Sequence, residues 1–217
     1  MLVAGVDEAG RGPVIGDLVV AGILIEESDW EKLISLGVKD SKLLTPQKRE
    51  ELFPEVKKVA KKVSIKKVTP VEIDSFMNTG TNLNYIEMIK IAEILNELKP
   101  EKAYIDSPSV NNEKFKKELA EKLDFKCELV VEHKADLKYA VVGGASIIAK
   151  VTRDRDIMKL SSMLGIKTGI GYPHDETSRE FVKKAIKKKE LLKYVRTTWQ
   201  TYKDIKGEKE QSKINQF

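Results

Sequence analysis

Hydrophobic positions recur along this chain in two periods, and the switch between them marks the elements. Residues 2–6 form a short apolar run that reads as a strand, followed by the glycine-rich turn Ala9-Gly10-Arg11-Gly12-Pro13. Residues 18–25 are apolar without interruption, the pattern of a strand buried on both faces. Thr45-Pro46 supplies a cap and a first-position proline for a helix expected to run towards Lys62, with Pro54 bending or dividing it. Residues 63–68 alternate apolar with Lys and Ser, as a half-exposed strand does. Asn82 or Asn84 can cap a helix reaching Leu98, with Tyr85, Met88, Ile89, Ala92 and Leu95 as its apolar stripe. A strand over 102–105 ends at Asp106, a polar helix covers 112–123, and a further strand covers 127–132.

The spacing then predicts one long helix over 137–163, whose first half, Val141-Val142-Gly143-Gly144-Ala145-Ser146, is small and apolar. Residues 165–173 form a loop with three glycines. From Glu176 a final amphipathic helix sets Phe181, Val182, Ala185 and Ile186 against Lys183, Lys184, Lys187 and Lys188, and the last dozen polar residues are expected to fray. Strands followed by strands alternating with helices make this an α/β chain with a mixed β-sheet flanked by helices.

The 217 residues suit one large domain, or a domain with a small appendage. Charge favours the second arrangement. Residues 178–217 hold twelve Lys and Arg against five Asp and Glu, whereas the rest of the chain is slightly acidic. We therefore expect a domain over 1–177 and a basic helical C-terminal segment over 178–217, and a polyanionic partner for the latter. No apolar run approaches a membrane span, and Met1 leads directly into the first strand, so a cytoplasmic protein without membrane association is expected. The lone Cys127 has no internal disulfide partner and reads as a small apolar filler. Trp199 and Tyr202, three residues apart, could stack on nucleic acid, but anchoring the tail to the domain is the more common use and is expected here.

Candidate chemistry lies in the acids. Asp7 and Glu8 follow the first strand, Asp106 ends another, and Asp136 follows a third. Were those strands neighbours, the carboxylates would meet at one rim. Converged carboxylates repel, and oxygen ligands of this kind suit Mg²⁺ or Mn²⁺ better than zinc. Two such ions, roughly 3.5–4 Å apart, can activate water and stabilise the leaving oxygen of a phosphoryl displacement. Successive strand residues face opposite ways, so Asp7 and Glu8 share a site only if the strand deforms at Glu8; Ala9-Gly10 would permit a bulge there. Each acid taken singly is equally a turn or helix-cap residue.

The stretch Asp7-Glu8-Ala9-Gly10-Arg11-Gly12-Pro13 resembles the signature of type 2 ribonucleases H, specifically ribonuclease HII. The resemblance continues through Asp40-Ser41-Lys42, Tyr104-Ile105-Asp106, 133–139, 145–154 and Gly171-Tyr172-Pro173, and the basic tail looks like the archaeal form. It implies an RNase H-like fold, cleavage of the RNA strand in RNA–DNA hybrids, and incision at ribonucleotides embedded in duplex DNA, leaving 3′-hydroxyl and 5′-phosphate ends. It implies Asp7, Glu8, Asp106 and Asp136 as catalytic ligands of two Mg²⁺ or Mn²⁺ ions, with Asp7 bridging. Gly10, Arg11 and Gly12 would meet the 2′-hydroxyls beside the scissile phosphate, where glycine lets main chain approach closely. Lys42 would contact phosphate, and Tyr172 would pack on the sugar after the ribonucleotide. A monomer is expected. Gly143-Gly144 and His174-Asp175-Glu176 depart from the family pattern. The competing readings are a non-catalytic hybrid-binding factor that docks through its basic tail and a same-fold nuclease acting on DNA junctions.

Overall fold

The computed structural model describes residues 1–38 and 44–214, with side chains described through residue 208. Five strands form one sheet: β1 (Leu2–Ala9), β2 (Leu18–Glu26), β3 (Lys62–Val68), β4 (Lys102–Asp106) and β5 (Glu128–Glu132), in the order β3-β2-β1-β4-β5. β1 is antiparallel to β2 and parallel to β4, and β4 is parallel to β5. The helices are α1 (Trp30–Ser35), α2 (Pro46–Val59), α3 (Pro70–Asn78), α4 (Leu83–Leu98), α5 (Asn112–Ala120), α6 (Ala135–Lys138), α7 (Ala140–Leu164), α8 (Glu176–Lys187) and α9 (Gln200–Ile214). The expected RNase H-like mixed sheet with flanking helices is what forms.

Two compact units divide the chain. The first takes Met1–Ala9, Val19–Lys67 and Asn84–Thr152 and contains nearly all of the sheet. Alternation decides its two cores. Val3 of β1 and Val19, Ala21, Ile23 and Ile25 of β2 pack with Leu33, Leu52, Val56, Val141 and Ile148. Ala4, Val6, Val20 and Leu24 face the other way, onto Met88, Ile91, Leu95, Phe115 and Leu119. β2 is thus buried on both faces, as its unbroken apolar run predicts. The small residues that open α7 serve close packing: a Cβ on Gly143 would lie 2.5 Å from the Val38 carbonyl oxygen. Cys127 packs at the edge of the second core, where burial pushes its thiol up to about 11 and keeps it protonated.

The second unit takes Gly10–Leu18, Val68–Leu83 and Arg153–Phe217. The segment set apart by its charge lies wholly within it, but the unit extends further, because Val14, Ile15, Ile157 and Leu160 share a core with Phe181, Val182, Leu191, Val195 and Ile205. Trp199 and Tyr202 pack against that core, as the anchoring role requires.

Several elements differ from expectation. α2 begins at its Thr45 cap, whose hydroxyl accepts from the Lys48 N–H at 3.2 Å, and continues through Pro54 undivided. It stops at Val59 because Lys62 is already in β3. The predicted long helix is two: Tyr139 is extended between α6 and α7, its ring 4.4 Å from that of Tyr104 and its hydroxyl donating to Glu132 at 2.9 Å. α8 is not the final helix, since a 3₁₀ turn over Lys189–Tyr194 and α9, which runs to Ile214, follow it. α3 was unforeseen, although Thr69-Pro70 with Glu72 spells its capping box.

Candidate active site

The parallel register β1–β4 aligns Val6 with Ile105, which brings the next residues, Asp7 and Asp106, side by side at the C-terminal ends of two central strands. Ligands of open α/β sheets bind at such ends. Asp136 arrives from β5 through a tight reversal at Lys134, whose φ of 56° is left-handed. The short helix α6 then turns Asp136 inward, fully buried. Asp106 fixes that reversal, accepting from the Ala135 N–H at 3.1 Å. One oxygen from each of Asp7, Asp106 and Asp136 lies within 4.8 Å of the others.

Glu8 is not one of those three. The β1–β2 register runs unbroken through Asp7↔Ala21, Glu8↔Val20 and Ala9↔Val19, so the bulge expected at Glu8 is absent. With pairing intact, Glu8 takes the face of Val6 while Asp7 takes the face of Val3. The Glu8 N–H donates to Asp7 Oδ1 at 2.8 Å, so the Glu8 backbone steadies the Asp7 carboxylate.

Burial raises the Asp7 carboxyl, which is 4% exposed, to about 6. Lys150 of α7, its Nζ 3.7 Å from Asp7 Oδ2, opposes that rise, as does a hydrogen bond from Ser146, while the charges of Asp106 and Asp136 add to it. Lys150 also donates to Ser146, one turn away. Three carboxylates stand close together, with the Lys150 ammonium beside that of Asp7. Hard oxygen donors at this close spacing fit a divalent cation of the Mg²⁺ or Mn²⁺ type.

The second unit holds the glycine loop. Gly10 has φ 95°, and a Cβ there would stand 2.7 Å from the Asp17 carbonyl oxygen, so the turn requires glycine. Arg196, fully buried, grips the loop from the C-terminal segment: its guanidinium donates to the Arg11 carbonyl at 3.1 Å and to that of Gly16 at 2.9 and 3.1 Å. The Tyr172 ring lies 3.7 Å from where a Cβ on Gly12 would be, so Gly12 and Tyr172 adjoin. Asp175 and Ser178 shape the loop before Tyr172: Asp175 accepts from the Ile170 N–H at 2.8 Å, and the Ser178 hydroxyl accepts from the Gly171 N–H at 2.8 Å. His133 contacts the Ser107 carbonyl at 3.3 Å, and His174 stacks on Tyr172 at 5.6 Å. Lys42 lies outside the described residues.

Sequence reasoning assigned no role to Lys150, Arg153 or Arg196. The first two stand within the 145–154 stretch, and the spacing of Ser146 and Lys150, one helical turn, was the available signal. Arg196 offered none.

The Ribonuclease HII family profile matches residues 4–202. The chain is 45% identical over 208 residues to the ribonuclease HII of Thermococcus onnurineus, covering 94% of this chain and 90% of that one. Among solved structures, the ribonuclease H2 of Pyrococcus horikoshii superposes with a TM-score of 0.87 at 43% identity, covering 96% of this chain and 98% of that one. The RNase HII in the PCNA:RNase HII complex from Archaeoglobus fulgidus superposes with a TM-score of 0.83 at 44% identity, covering 92% of this chain and 96% of that one.

Proposed function

The chain belongs to the ribonuclease HII family, and from that premise we propose an endoribonuclease that cuts the RNA strand of RNA–DNA hybrids and incises duplex DNA at embedded ribonucleotides. The gathering of Asp7, Asp106 and Asp136 oxygens within 4.8 Å carries this reading. Asp7, Asp106 and Asp136 would hold Mg²⁺ or Mn²⁺ between them, and Glu8, which follows Asp7 near the end of β1, would complete the set for two ions by reaching around the strand end from the opposite face. Such ions supply a water activated at neutral pH and charge to stabilise the leaving 3′-oxygen. Lys150 and Ser146 hold the Asp7 carboxylate in one orientation. Asp106, tied to the Ala135 N–H, keeps α6 and Asp136 in place. In the second unit the main chain of Gly10 and Gly12, with Arg11, reads the ribose 2′-hydroxyl, the one group that separates RNA from DNA. Tyr172 packs on the following sugar, and Lys42 takes a phosphate.

A hybrid-binding factor without catalysis would gain nothing from converged carboxylates, which repel phosphate. The deciding experiment uses two duplexes of one sequence, all-DNA and with a single ribonucleotide. Magnesium-dependent incision of the second alone, abolished by EDTA, is the expected result. Binding that survives EDTA without any incision would leave the binding-factor reading, and equal cutting of both duplexes would leave the junction nuclease.

A further inference from the structure

Arg153 opens the second unit's share of α7, and its side chain is only 4% exposed. Its guanidinium carbon lies 4.9 Å from the centre of the Tyr172 ring. One terminal nitrogen donates to the Ile170 carbonyl, two residues before that ring, and the other reaches Asp154 at 3.1 Å. The arginine fills the space beside both glycine turns. A Cβ on Gly171 would stand 2.6 Å from its Nη2, and one on Gly10 would stand 3.6 Å from its Cγ. The same loops are laced together by the Gly171 carbonyl, which accepts from the N–H groups of Val14 and Ile15 at 2.8 and 3.3 Å.

Buried this deeply, the guanidinium has little surface to offer a phosphate, so its work passes through the groups it touches. Its Nε–H is buried with no hydrogen-bond partner among the described residues. A cation buried with a donor unsatisfied is poor design for stability alone, and an unsatisfied group of this kind calls for another reason. The placement of the cation over the Tyr172 ring supplies one. A planar guanidinium under an aromatic face sets the plane of the ring, which a flexible ammonium does not.

We propose that Arg153 is a positioning residue for sugar recognition, holding the Tyr172 ring against Gly12 and the Gly10 turn as one pre-formed surface. This rests on the reading of Gly10–Gly12 and Tyr172 as the sugar-reading group. Arg153 therefore sets the preference for a single ribonucleotide followed by deoxyribose over continuous RNA, without itself touching substrate.

The test measures kcat/KM on a single-ribonucleotide duplex and on a continuous hybrid for wild type, Arg153→Met, Arg153→Lys, Tyr172→Ala and the Arg153→Met/Tyr172→Ala double variant. Loss of ring position costs on the order of tenfold to a hundredfold on the single-ribonucleotide duplex, with a smaller loss on the hybrid. The ratio of the two activities falls in Arg153→Met as it does in Tyr172→Ala. The double variant is no worse than Tyr172→Ala beyond about twofold, the mark of residues acting through one another. Arg153→Lys does not restore the ratio. An unchanged ratio in Arg153→Met, or losses that multiply in the double variant, overturns the proposal. Should Arg153→Met fail to fold, as judged by its urea transition, Arg153→Lys carries the test, and a wild-type ratio there overturns it equally. A changed ratio in Tyr172→Ala with no change in either Arg153 variant sinks the role of Arg153 alone. No change in Tyr172→Ala sinks the reading of Tyr172, and this proposal with it.

Discussion

Burial lifts the Asp7 carboxyl towards neutrality while Lys150 draws it back, and the balance leaves it at about 6. The sign of the consequence follows from linkage. Below the ordinary carboxylate value of 3.8, Asp7 is protonated whether the chain is folded or not, and contributes nothing. As pH rises from 3.8 to about 6 the unfolded chain ionises while the folded state resists, so metal-free stability is lost across that window, by about 3 kcal/mol in all, and no further above it. Asp7→Asn removes the resisting charge. In EDTA at pH 7.5 this variant should melt above wild type, with the gap closing as pH falls to 4.5, while cleavage is lost at every pH. Thermal melts at the two pH values check it, and a variant less stable than wild type at pH 7.5 would contradict it. That Asp7, Asp106 and Asp136 deserved attention was legible from the sequence, since each stands where a strand gives way to a turn. Lys150, Arg153 and Arg196 were not, because their meaning lies in contacts with residues distant along the chain.

Elements read from the sequence succeeded where local signals were strong and failed where packing outweighed them. The fully apolar run of β2 and the Thr45 cap of α2 each carry their own instruction. The break between α6 and α7 does not, since helical periodicity runs through Tyr139 and only its seat beside Tyr104 and Glu132 holds it extended. α3 shows the same division. Its capping box is local, but the role of its Asp74 is not. That carboxylate accepts from the N–H and hydroxyl of Thr197, both at 2.7 Å, and from those of Thr198 at 3.1 and 2.6 Å. Asp74 thereby secures the chain just before α9. Asp74→Ala strands four donors and should cost about 2–4 kcal/mol, read as a lowered urea midpoint. Asp74→Asn should recover part of the loss, because an amide oxygen still accepts.

At the scale of the molecule, the basic C-terminal segment has two separable properties. Phe181, Val182, Ala185, Leu191 and Val195 belong to the core of the second unit, so deleting 178–217 would remove that core along with the charge. Charge is better tested on the exposed lysines in the last turn of α8 and just after it. Replacing Lys184, Lys187 and Lys188 by Gln should weaken substrate binding and reduce the slope of log Kd against log salt by up to about 3. An unaltered slope would assign the segment to packing alone. The amino-acid sequence by itself determined the class of fold, the buried strands, the basic tail and the acids worth watching, because periodicity, charge and strand-end turns are local properties of a chain. The tertiary structure alone decided that Asp7, Asp106 and Asp136 meet, that β1 pairs on through Glu8 without a bulge, and which buried arginines lie against the glycine loop and Tyr172. Those outcomes depend on strand order, register and the filling of space between distant segments, quantities that no local pattern encodes.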